Sequence, residues 1–198
     1  MSPRKSAVET AATRTRIIEC ALTLASAEGL EGVTIGRLAT ELGMSKAGVI
    51  GHFGTKEALQ LATLDAAIEK FRDRVPARVA GAEPGADRLA RAFGEWIAYM
   101  ADDGHGGCFL TSVATEFDGR PGPVRDAVRT ALSRWSDYVA AELRTAVDAG
   151  DLPAGTDVDQ LVFELGGVAL AAGQAIQLHR DPAAPARARR AVDRLLGR

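Results

Sequence analysis

The chain has 198 residues, 46% hydrophobic and 25% charged, which is enough apolar material for one or two compact domains with a real core. Aromatics supply only 5%, and the 21 glycines and 8 prolines follow no fixed period, which excludes collagen-like and low-complexity chains. Twenty-four basic residues against 26 acidic ones leave a net charge of −2, so any site for a polyanion has to be a local feature.

Up to Lys56 the balance is seven basic to five acidic residues, which makes this head the more basic part. The first helix is predicted over 14–28, where Ile17, Ile18, Ala21, Leu22 and Ala25 share one face and Gly29 stands at the C-terminal cap. Thr34 caps a second helix in which Ile35, Leu38, Ala39 and Leu42 follow i, i+3, i+4, i+7, and Gly43 ends it after two turns. Ser45 caps a third, short helix over 45–53. It contains Gly48 and Gly51, each costing about 1 kcal/mol relative to Ala, so it needs Met44, Val49 and Phe53 packed on its neighbours. Thr55 caps a fourth, to Val75.

Beyond a Gly/Pro/Ala-rich loop (76–86), helices are predicted over 87–101 and 108–117, separated by the loop 102–107. A long helix reaches Ala149 after Asp118-Gly119-Arg120-Pro121-Gly122-Pro123. Asp157 opens another, to His179, and a last helix covers 183–196. No strand alternation or repeat competes, so the fold class is all-α.

Two short helices joined by a Gly-containing turn form a helix-turn-helix candidate. Thr13-Arg14-Thr15-Arg16-Ile17-Ile18, Glu28-Gly29, Thr34-Ile35, Leu38-Ala39, Leu42-Gly43-Met44-Ser45-Lys46 and His52-Phe53-Gly54-Thr55-Lys56-Glu57-Ala58-Leu59 together closely resemble the N-terminal domain of TetR-family repressors. The run from Gly107-Cys108-Phe109-Leu110 to Glu116-Phe117-Asp118-Gly119-Arg120-Pro121-Gly122-Pro123 looks like one version of the family's helical C-terminal part. The resemblance implies a homodimer that places its third helix in the major groove of double-stranded DNA at a palindromic operator. It also implies a C-terminal domain that binds a small-molecule effector and so changes the spacing of the two heads. The implied division is a flexible arm (1–12), a DNA-binding domain (13–59) and a ligand-binding and dimerisation domain (60–198).

The chemistry of the head agrees with that reading. Amides at the helix starts carry partial positive charge, and the hydroxyls of Thr34, Ser45 and Thr55 and the ammonium of Lys56 suit phosphate oxygens; the same hydroxyls also serve as N-caps. Where the family usually has an aromatic residue, most often Tyr, this chain has Ile50, in Ile50-Gly51-His52-Phe53. With Ala47, Gly48 and Ile50 on the third helix, base readout falls to Lys46 on guanine and to methyl contacts from Ala47 or Ile50 on thymine. His52 reads as a helix-end or DNA-backbone contact.

In the C-terminal part, Trp96, Tyr99, Met100, Phe109, Ser112, Thr115, Glu116, Phe117, Trp135 and Tyr138 are the candidates for an effector pocket, an apolar lining with a few polar groups. Aromatic residues at helical spacing also build ordinary cores. The predicted helix up to His179 is apolar almost all round and rich in small residues. Gly166, Gly167, Leu170, Gly173 and Gln174, with Val192 and Leu195 of the last helix, are therefore expected at a dimer interface of four-helix-bundle type.

No nucleophile with its base, paired-carboxylate site or phosphate-cradling loop is visible, and Gly104-His105-Gly106-Gly107 follows no strand, so no enzyme, catalytic residue or cofactor is expected. Cys20 and Cys108 lack metal-ligand spacing, and His105 and His179 lack an i+4 partner, so no metal or disulfide framework is expected either. A polar start and an apolar stretch broken by Glu164 and Gln174 predict neither signal peptide nor membrane span, hence a cytoplasmic protein. The competing reading is a helical ligand carrier or interaction protein whose helix-turn-helix is merely structural.

Overall fold

The computed structural model describes residues 7–102 and 107–198; residues 1–6 and the segment 103–106 with His105 lie outside them. The described residues form helices α1 (Ala7–Glu28), α2 (Ile35–Leu42), α3 (Lys46–Ile50), α4 (Lys56–Arg74), α5 (Pro76–Val79), α6 (Ala86–Ala101), α7 (Phe109–Phe117), α8 (Pro123–Ala149), α9 (Val158–Gln177) and α10 (Ala184–Leu195). No strand occurs among them, and the all-α expectation holds.

Three expectations need correction. Residues 7–12, expected as a flexible arm, continue α1 as helix, because nothing in this Ala/Thr/Glu stretch breaks the ladder before Arg14. The third helix is shorter than expected, five residues instead of reaching Phe53. After Ile50 it tightens into turns, with His52 N–H on Val49 O at 3.2 Å and Phe53 N–H on Ile50 O at 3.1 Å, where Gly51 lowers helix propensity. The loop after α4 holds the short α5, which Pro76 opens at its first turn.

The sequence punctuation acts as the physics of helix ends requires. Gly43 adopts φ +63° at the end of α2, while its N–H and that of Met44 reach the carbonyls of Thr40 and Ala39; this is a Schellman motif, a left-handed corner that turns the chain into α3. Within the head, Ile17 and Ala21 of α1, Leu38 of α2, Val49 of α3 and Leu59 of α4 are buried together, and α1 packs on α4 and α2. Met44 and Phe53 lie half-buried against this core, as the weak α3 needs, and Arg14 stacks over the Phe53 ring at 5.0 Å.

The larger body packs α6, α8, α9 and α10 around Leu89, Phe93, Leu143 and Leu165, with α4 and α7 along one side. A buried ion pair fastens α6 to α8: the carboxylate of Glu142 accepts from Arg88 and from the Gly85 N–H at 2.9 Å. No helix among the described residues is long and apolar enough to cross a membrane.

Candidate nucleic-acid interface and ligand cavity

Each hydroxyl expected at phosphate is also a helix cap. Thr34 Oγ1 accepts from Arg37 N–H at 3.2 Å, Ser45 Oγ from Gly48 N–H at 3.0 Å and Thr55 Oγ1 from Ala58 N–H at 3.0 Å. Capping uses only an oxygen lone pair, so each O–H still has its proton to donate, and capping does not exclude phosphate contact.

α3 separates an inner face from an outer one. Val49 is fully buried, whereas Lys46, Ala47 and Ile50 are exposed, Ile50 to 40%, and Gly48 is half-buried. Lys46 lies along the start of α2: a Cβ on Gly36 would stand 3.3 Å from its Cε and 3.7 Å from its Nζ, so glycine there leaves room for the lysine. Reaching a base edge requires that side chain to swing away from α2. His52 is half-buried, its ring tilted against Phe53.

Lys56 is occupied in the free protein. Its Nζ donates to the carbonyl of Glu31 at 2.9 Å and to Glu31 Oε1 at 2.8 Å. The same carboxylate accepts from Gln60 and lies 3.9 Å from Arg120. The bond from Lys56, then that from Gln60, holds the Glu31 carboxyl below its ordinary range. The sequence carried no periodic signal for this network, because Lys56, Gln60 and Arg120 each stand 25 or more positions from Glu31.

The ligand candidates separate by helix phase. α7 and its C-cap turn Thr111, Ala114, Thr115 and Asp118 (i, i+3, i+4, i+7) toward a cavity of 360 Å³ that is also walled by Phe93 and Trp96 of α6, Leu132 and Trp135 of α8, and Val162, Gly166 and Leu170 of α9. A second cavity, of 280 Å³, lies between Ile68, Phe71 and Arg72 of α4, Trp96, the α7 start at Cys108, Leu110 and Thr111, and Leu132, Arg134, Trp135 and Tyr138 of α8. Trp96, Thr111, Leu132 and Trp135 line both. Phe71, Trp96 and Trp135 meet edge to face with centroids 5.2 to 5.7 Å apart, a rigid aromatic wall. Burial pushes the Tyr138 phenol up, so it stays uncharged at neutral pH.

Of the ten pocket candidates, Trp96, Thr115, Trp135 and Tyr138 line these two cavities and the other six line neither. Phe109 and Phe117 sit on the core face of α7, and Ser112 faces solvent. Tyr99 is buried, its phenol pushed up to about 12 by desolvation, and Met100 packs beside Gly173. Glu116 faces the head: its carboxylate accepts from the N–H of Leu30 at 2.8 Å and of Glu31 at 2.7 Å. Gly29, at φ +82°, lets it come that close, since a Cβ there would stand 3.1 Å from Glu116 Oε1. The lining that sequence reading missed, Ile68, Phe71 and Thr111, carries ordinary core periodicity and gives no local signal.

Among the interface candidates, Gly167, Leu170 and Gln174 are exposed and Gly166 and Gly173 half-buried, whereas Val192 is buried within the chain. The α10 stripe of Ala184, Ala188, Val192 and Leu196 is used up against α9 and α6, and Leu195 packs half-buried beside it. Expecting Val192 at an interface therefore needs correction, because an apolar helical stripe marks burial without naming the partner.

Residues 17–63 match the family model described as bacterial regulatory proteins, tetR family, and residues 85–192 match the tetracyclin repressor-like C-terminal domain. The chain belongs to the TetR family. It is a TetR-family transcriptional regulator with a DNA-binding helix-turn-helix and a ligand-binding C-terminal domain, which sets aside both the enzyme and the carrier readings. The HTH-type transcriptional regulator SrpR of Pseudomonas putida is 27% identical over 168 residues, covering 78% of this chain and 70% of that protein. A TetR transcriptional regulator of Chloroflexus aurantiacus superposes with a TM-score of 0.85 at 24% identity, over 96% of this chain and 95% of that one. AibR, solved with isovaleryl coenzyme A and operator DNA, does so at 0.71 and 20%, over 93% and 96%. These two likenesses show the fold.

Proposed function

We propose that the protein is a homodimeric, cytoplasmic repressor that binds a palindromic operator through α2 and α3 and is released from it by a small-molecule effector held in the body. The head ends at residue 59 and the body begins at residue 60, inside α4. The observation that carries the reading is the outward face of α3: Val49 spends the helix's apolar anchor on the core and leaves Lys46, Ala47 and Ile50 without an intramolecular role beyond the approach of Lys46 to Gly36. Lys46, once swung out, takes guanine, Ala47 and Ile50 take thymine methyls, and Gly48 keeps the backbone close to the groove. Thr34, Ser45, Thr55, His52 and Lys56 take the DNA backbone, Lys56 by leaving Glu31.

Dimerisation is supported by α9. Phe163, Leu170 and Leu178 are 76%, 58% and 69% exposed, and a Cβ added at Gly166 or Gly167 would touch nothing within 4 Å. Within the chain nothing packs close enough to require such small residues, while a second copy packed helix to helix does. That AibR was solved with both an acyl-CoA and operator DNA supports coupling the two ligands in one molecule.

The test is retardation of a fragment of the gene's own promoter in the presence of competitor DNA. Lys56→Ala should weaken binding to all sequences alike and lower the salt slope by about one. Lys46→Ala should cost about 1–3 kcal/mol at one symmetric pair of positions. Equal effects of the two across an operator library would reduce Lys46 to a phosphate contact, and no retained band would sink the regulator reading.

A further inference from the structure

Resting on the effector reading above, we infer that the 280 Å³ cavity takes a small hydrophobic monocarboxylate, a ring or short apolar body carrying one acid group. The size comes first. The volume equals about nine waters at ~30 Å³ each, room for a single ring with a short tail. Its walls are mostly apolar, with Phe71, Trp96 and Trp135 offering ring faces and edges to a flat body.

The charge comes from the mouth. Three charged side chains border it: Glu69, Arg72 and Arg134. Glu69 and Arg72 neutralise one another in a two-bond pair on α4. Arg134 forms no ion pair among the described residues and is the uncompensated cation beside an apolar hole. A ligand ammonium would meet that charge with repulsion, while a carboxylate gains a two-pronged guanidinium partner.

The polar groups of the wall agree. Tyr138 remains a neutral hydroxyl at the wall. Thr111 spends its proton on the Cys108 carbonyl at 2.9 Å. With Glu69 taken by Arg72, the charged group left open at the lining is a donor, Arg134, so the fitting ligand supplies acceptors, as an acid does. An aromatic box for a quaternary cation would instead need open ring faces and a spare carboxylate, and here the rings pack edge on and Glu69 is taken.

The experiment compares three probes with one body and three charges: 3-phenylpropanoate, 3-phenylpropanamide and 3-phenylpropylamine, titrated calorimetrically at neutral pH into the full chain. The acid should bind about fivefold more tightly than the amide, the margin of one partly exposed ion pair, with the amine weakest. Arg134→Gln, at an exposed position, should bring the acid down to the amide and leave the amide unchanged. An amide or amine as tight as the acid, an acid preference that survives Arg134→Gln, or no binding by any of the three overturns the inference. Ala131→Phe, which narrows the cavity, separates this from failure of the effector reading. If a reversed charge order is lost in that variant, only the choice of an acid was wrong. If a mixed metabolite library raises the melting temperature of both proteins equally, the cavity is no effector site.

Discussion

Glu116 shows how much one side chain can do between two parts of a chain. It stands near the end of α7, 85 positions from the loop whose N–H groups it accepts. Those donors follow the end of α1, where no helical ladder remains to take them. Removing the carboxylate leaves the Leu30 N–H, which is partly buried, without an acceptor. Glu116→Ala should therefore cost about 1–3 kcal/mol, a fall of roughly 2–10 °C in melting temperature for a chain of this size, and Glu116→Gln less because one acceptor oxygen remains. Ser112→Ala, one turn earlier and exposed, should change little. Thermal unfolding of the three variants checks this, and an unchanged Glu116→Ala would mean that solvent satisfies the loop.

At the scale of elements, α9 and α10 look alike in sequence and differ in use. Both carry an apolar face broken by small residues, but α10 presses Val192 into the core while α9 leaves Phe163 and Leu170 in solvent. On the dimer reading, Leu170→Glu should turn the dimer into a monomer at micromolar concentration with the fold intact, since the side chain contributes little to its own core. Val192→Glu should instead unfold the chain, because it buries an unpaired charge. Light scattering together with circular dichroism distinguishes them. A Leu170→Glu protein that remains a dimer would move the interface off this face of α9.

Across the whole molecule, α4 belongs to both parts: its first residue bonds the α1–α2 loop and its Phe71 walls the cavity. Glu31 ties that loop to Lys56 and Gln60 of α4 and stands near Arg120 after α7, so its charge helps hold head to body. Because its carboxyl is held below the ordinary value of 4.5, its stabilisation is complete above that pH and is lost as the pH falls through the lower, folded-state value. Exposure of 46% limits the effect to a few tenths of a kcal/mol, about 1–2 °C. Between neutral pH and about pH 3 the wild type should lose slightly more melting temperature than Glu31→Gln. Parallel curves would show that solvent screens the network entirely.

Helix order, the caps at Thr34, Ser45, Thr55 and Asp157, and the helix-turn-helix with its family resemblance are all legible in the residues, because each depends on neighbours within one or two turns. Ile50, Lys46 and Lys56 could be named for the same reason. The shortening of α3 and the early start of α1 were not legible, since helix ends depend on small propensity differences. Only the tertiary structure decided that Glu116 serves the head and not the cavity, that Lys56 is paired with Glu31, that Val192 is core while Leu170 is surface, and that Ile68, Phe71 and Thr111 wall a cavity. Periodicity states which residues share a helix face. What that face meets depends on how helices far apart in the chain are rotated and packed, and that is settled by the sum of many weak long-range contacts.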